Sequence, residues 1–160
     1  MVEHMLDPLL MLVGLAAALV AGVFLTFSDF VMRALGASAP SAGTEAMQHV
    51  NREVLKSLFM LLFLGSTPLA AALLILAITS VSAPVSGWMA LGSLSYIFGV
   101  FLVTGLGNVP MNQKLDALDH NSKEGQSYWQ IYLKNWTRLN HVRTLFSLIS
   151  AYCYLTAATV

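Results

Sequence analysis

Nothing from Ser57 to Gln113 carries a charge, and a run of that length decides what the chain can fold into. A helix rises about 1.5 Å per residue, so about 20 apolar residues cross a bilayer, and this run is long enough to cross twice. Pro8 to Ser28 is a further uncharged crossing, and Thr144 to Val160 is a slightly short one. Only 10% of the 160 residues are charged and 57% are hydrophobic, whereas soluble domains carry about 25% charged residues. Too little polarity remains to clothe a water-soluble surface. The sequence therefore reads as all-α: one integral membrane domain over residues 1–160, a four-helix bundle whose fourth helix extends on the cytoplasmic side.

Punctuation sets the spans. The first runs over about 8–35 and stops at Gly36, with Ser38, Pro40 and Gly43 in the connection. Thr44 is expected to cap the next helix, with Glu45 in its first turn. The stretch from Thr79 to Pro84 divides the long run into spans of about 54–79 and 84–109, with Pro68 inside the former. After Pro110 the chain turns polar, and the fourth span, about 126–159, begins on the surface and then enters the membrane.

Orientation follows from the basic residues. Arg33, Arg52 and Lys56 flank the first connection, and Lys114, Lys123, Lys134, Arg138 and Arg143 lie in or beside the third. The second connection and both termini hold none, so the positive-inside rule puts the charged end in the cytoplasm and both termini outside, in a plasma (inner) membrane. The N-terminus lacks the basic n-region of a signal peptide and is expected to remain as part of the first span. A net charge of zero argues against nucleic acid. The lone Cys153 excludes an internal disulfide.

The few polar residues gather toward one end. On the first helix Gly14, Ala18, Gly22, Asp29 and Arg33 share an arc, so the stripe is expected to face the bundle with Asp29 and Arg33 pointing inward. The alternative for that pair is an interfacial ion pair that contributes little. Thr104 and Asn108 share a face of the third helix. Trp129, Trp136, Asn140, Arg143 and Ser147 form one stripe on the fourth, and Gln48 and Asn51 sit at the polar start of the second. Two readings stay open: a pocket for a flat, partly polar lipophilic molecule at the cytoplasmic mouth, or a hydrogen-bonded plug that fixes helix register.

The runs Gly22-Val23-Phe24, Phe27 to Met32, Ala46-Met47-Gln48 with Asn51, Asn108-Val109-Pro110-Met111-Asn112, and Trp136-Thr137 with Asn140-His141-Val142-Arg143 resemble the anthrone oxygenase-like family of small four-span membrane proteins. The resemblance covers about Gly14 to Tyr154. It implies oxidation of an anthrone-like aromatic to an anthraquinone with molecular oxygen as co-substrate and no cofactor. That chemistry removes a proton opposite a ring carbonyl and stabilises the resulting oxyanion. His141 is the candidate base, with Asp29 in reserve. Arg143, Asn140 and Asn108 are candidate oxyanion donors. Trp136 is a candidate stacking wall, and Asn112, Gln48, Asn51 and Arg33 are candidate substrate contacts. His141 lies about 100° around its helix from Asn140, so a regular helix cannot aim both into one pocket.

Two further readings compete. One is a redox protein with haem held between His49 and His141, although no metal-ligand spacing is present and a metal site is not expected. The other is a non-enzymatic binding module or complex subunit. Homo-oligomerisation along a small-residue face such as Ser95–Gly99 would accompany an exporter role.

Overall fold

The computed structural model describes residues 2–160, with side chains from residue 6 onward. Among the described residues seven α-helices run in chain order: α1 Val2–Thr26, α2 Met32–Ala37, α3 Pro40–Val54, α4 Leu58–Thr79, α5 Val85–Leu94, α6 Val109–Asp116 and α7 Lys123–Ala157. Wider π-helical turns join some of them into longer rods. Phe27–Val31 links α1 to α2, and Ser95–Leu102 with Thr104–Asn108 links α5 to α6.

Four rods result: α1–α2, α4, α5–α6 and α7. The first packs against α4 and α7, and the third packs against the same two, so the rods form a ring. Neighbours run antiparallel. Leu10 and Val13 meet Leu73, Ala77, Met89 and Tyr154 in one layer, and Ala17, Val20 and Phe24 meet Phe63, Ala70, Tyr96 and Ala151 in the next. A third layer, at the charged end, is mostly aromatic: Met32, Met47, Tyr128, Trp129, Tyr132 and Trp136.

Outside, the bundle is oily. Leu12, Leu19, Leu58, Leu61, Ile78, Phe98 and Leu106 are all more than half exposed, a surface that only hydrocarbon accommodates. Among the described residues, three stretches are long and apolar enough to cross a membrane: Leu6–Ala37, Leu58–Thr79 and Val85–Asp116. This is an integral membrane protein. The fourth rod is less apolar, because the first half of α7 carries the charges and only the part beyond Arg143 is free of them.

Several expectations are corrected. The helix after the first connection starts at Pro40, with Ala39 at the cap and proline in the first turn. Proline suits that position because its missing N–H has no partner there anyway. Thr44 is therefore inside the helix, and its hydroxyl donates to the Pro40 carbonyl at 2.8 Å. The second span starts at Leu58 rather than near 54, because Ser57 caps it and accepts from the Met60 N–H at 3.3 Å. The third rod does not stop at Pro110. A π-turn in front, where the Val109 N–H reaches back to the Thr104 carbonyl, leaves the ring room it lacks in a regular helix, and the rod runs on to Asp116. The first rod extends to Ala37 and the fourth covers Lys123–Ala157.

The small-residue stripe of the first rod is not its inner face. Gly14 packs on Leu155, but Gly22 is exposed, and Leu10, Val13, Ala17, Val20 and Phe24 are the buried set. Asp29 follows the exposed Gly22 by about two turns and continues its outward arc, so Asp29 and Arg33 face out, their side chains 66% and 77% exposed, while Met32 is buried. Ser95 and Gly99 are likewise not a free face. Both are buried, and a β-carbon at Gly99 would overlap Phe146 of α7.

Candidate functional site

The polar residues of α7 fall on its inner face because Tyr132, Trp136, Asn140, Arg143 and Ser147 repeat at three- and four-residue steps. At that face the uncharged middle of the bundle meets its aromatic end. Asn140 is fully buried, and its Nδ2 donates to the Phe24 carbonyl at 2.6 Å and to Ser28 Oγ at 2.7 Å. Ser28 Oγ also lies 3.1 Å from Thr144 Oγ1, which donates to the Asn140 carbonyl at 2.9 Å. Both Asn140 donors are engaged, so its Oδ1 is turned the other way. There it accepts from Arg143 Nη2 at 2.7 Å.

Arg143 is 5% exposed. Its Nη1 donates weakly to Thr104 Oγ1 at 3.4 Å, and its Nε has no partner. None of the ion pairs among the described residues includes it. Its charge rests instead against aromatic faces, with the guanidinium carbon 4.3 Å from the Phe24 ring centre and 4.9 Å from that of Trp136. Such contacts attract a cation, most strongly where water is excluded. A buried guanidinium with an idle donor and no carboxylate is a site for an anion or a developing oxyanion.

A cavity of about 110 Å³ opens beside it. Phe24, Phe27, Met47, Phe59, Phe63 and Trp136 are among its apolar walls, and Thr104, Asn51, Asn112 and Arg143 supply the polar atoms. Leu55 and Val109 stand exposed at its rim, so it is open toward the surrounding medium. Asn112 Oδ1 accepts from Tyr132 Oη and from Trp136 Nε1, each at 2.8 Å, which leaves its amino group as the free end. The indole so held belongs to a stack: Trp129, Tyr132 and Trp136 lie at centroid spacings of 5.7 and 5.8 Å, nearly parallel.

The remaining candidates divide. Asn108 is fully buried; its Nδ2 donates to the Trp136 carbonyl at 3.3 Å and its Oδ1 is unpartnered, but it does not line the cavity. Gln48 is a fastener, its Nε2 donating to the Leu115 and Leu118 carbonyls at 2.8 Å and tying α3 to the end of α6. Asn51 lines the cavity and reaches Tyr132 Oη at 3.5 Å. His141 and His49 are exposed, as are Asp29 and Arg33, which pair with each other at 3.3 Å. The cavity thus has neither a histidine nor a carboxylate among its lining residues.

Ser28, Thr144 and Tyr132 were missed by sequence reasoning. Tyr132 sits at helical spacing between Trp129 and Trp136, and that signal was available. Ser28 and Thr144 carry no comparable signal, because their partners lie on another rod more than a hundred residues away.

The sequence profile of the anthrone oxygenase family matches residues 59–153, more than half of the chain. The matched part contains Asn108, Asn112, Trp136, Asn140 and Arg143, and leaves out the first rod, Gln48 and Asn51. No curated protein and no solved structure matches. The chain belongs to the anthrone oxygenase family.

Proposed function

From its membership of the anthrone oxygenase family, we propose that this protein is a membrane oxygenase acting on a lipophilic aromatic ketone of the anthrone type. The substrate binds in the cavity beside Arg143, molecular oxygen is the co-substrate and no cofactor takes part. The observation that carries this reading is the buried guanidinium on the wall of an otherwise apolar cavity, with Nε idle and no carboxylate neutralising it.

The chemistry asks little else of a protein. The ring carbon opposite the carbonyl loses a proton, and its electron pair moves through the ring to leave negative charge on the carbonyl oxygen. Oxygen then bonds to that carbon, and the hydroperoxide loses water to form a second carbonyl. One CH₂ group and one O₂ become one C=O and one H₂O. No base lines the cavity, so Arg143 accelerates the first step by stabilising the oxyanion, which makes the substrate itself more acidic, and water at the open rim takes the proton. Phe24, Phe27 and Trp136 line the space the rings enter, and the Asn112 amino group offers a second polar contact. The cavity is below the roughly 300 Å³ at which pockets for drug-sized ligands begin, so a tricyclic substrate projects through the rim past Leu55 and Val109.

In this reading the charged end of the bundle lies in the cytoplasm, which puts the cavity in the inner leaflet, where a lipophilic substrate concentrates. The test is protein-dependent anthraquinone formation above autoxidation by purified protein in lipid nanodiscs. Losing an oxyanion donor is expected to lower kcat by about 10²- to 10³-fold. Arg143→Gln should show that loss, and Arg143→Lys, which keeps the charge but not the planar fork, should fall between. A folded Arg143→Gln protein with undiminished turnover contradicts the assignment.

A further inference from the structure

On the far side of the Asn140–Ser28 contact lies a second concavity, unrelated to the cavity chemistry. Ser28, Met32 and Arg33 of the first rod face Gln130, Lys134 and Thr137 of α7 across a groove of about 400 Å³. It begins where the uncharged run of the first rod ends, at Ser28. That is the depth at which hydrocarbon gives way to headgroups.

Its chemistry is that of an anion site with apolar continuations. Lys134 is exposed, and none of the ion pairs among the described residues includes it. Arg33 pairs with Asp29 at 3.3 Å, so that carboxylate offsets one cation, and the charge of Lys134 is left over. Thr137 Oγ1 is buried and has no partner. Deeper in the apolar zone, Leu25 lies about one turn before Ser28 and Leu145 about two turns beyond Thr137, both at least half exposed.

We propose that this groove is a binding site for one anionic phospholipid. Its phosphodiester lies between Lys134 and Arg33, and its acyl chains follow Leu25 and Leu145 into the bilayer. The charge of Lys134 selects an anionic headgroup over a zwitterionic one, and the acyl contacts distinguish a lipid from free phosphate.

Native mass spectrometry of the detergent-purified protein tests this, titrating short-chain phosphatidylglycerol, phosphatidylcholine and inorganic phosphate. A basic residue near a membrane surface contributes about 1 kcal/mol toward an anionic lipid, or roughly five-fold in affinity. Phosphatidylglycerol should therefore bind about five-fold tighter than phosphatidylcholine. Lys134→Gln should erase that preference, Lys134→Arg should keep it, and Lys123→Gln, a change outside the groove, should leave it intact. Equal binding of the two lipids, an unchanged preference in Lys134→Gln, or equally tight binding of inorganic phosphate overturns the proposal.

Discussion

At the scale of single residues, Arg143 and His141 stand two apart on one helix and have opposite surroundings. Arg143 is buried against Phe24 and Trp136, and His141 is exposed. A 100° step per residue predicts that separation, and the stripe Trp136–Asn140–Arg143 was legible for the same reason. What the helical period could not reveal is which arc of the first rod faces the bundle, and Asp29 and Arg33 lie on the exposed one. Neither candidate base then reaches the cavity, and the account rests on oxyanion stabilisation alone. His141→Gln is accordingly expected to keep turnover within about two-fold of the wild type, the usual range for an exposed substitution. A loss as large as that of Arg143→Gln in the same steady-state assay would restore a histidine base.

Among elements, the close approach of the third and fourth rods is the feature that builds the site. Gly92, Gly99 and Gly107 of the third rod face Cys153, Phe146 and Leu139 of α7. Successive partners on α7 are seven residues apart, while the glycine spacing changes from seven to eight. The extra residue falls in the π-helical stretch Ser95–Asn108 that carries Thr104 to Arg143. Gly99→Ala would force a methyl into Phe146 and is expected to destabilise by about 1–3 kcal/mol, the usual range for overpacking. Gly105→Ala meets no atom within 4 Å and is expected to be neutral or to stabilise by up to about 1 kcal/mol. Denaturation of the two variants in the same detergent checks this, and equal effects would contradict the seam. The rods themselves were legible because uncharged runs and prolines mark them. The seam was not, because a glycine against a helix and a glycine against lipid look alike in sequence, as Gly99 and Gly105 do.

For the whole molecule, the antiparallel ring of rods places the cavity, the aromatic stack and nearly all charged residues at one end. The membrane class was legible from composition, and the gathering of amides and charges toward one end from their positions along the chain. The identity of the inner faces was not, since α4 is apolar on every side and offers no stripe to read. If the charged end lies in the cytoplasm, Ala117→Cys should react with a membrane-impermeant maleimide only after cells are permeabilised, and Thr159→Cys should react in intact cells. The reverse pattern inverts the topology. The most direct measurement of the central claim is a structure in lipid nanodiscs with 10,10-dimethylanthrone, which cannot lose the reacting proton. Its carbonyl oxygen should lie within roughly 3.2 Å of an Arg143 nitrogen, with its rings in the cavity lined by Phe24, Phe27 and Trp136. An analogue bound elsewhere, with the Arg143 guanidinium bonded to protein atoms alone, would contradict it.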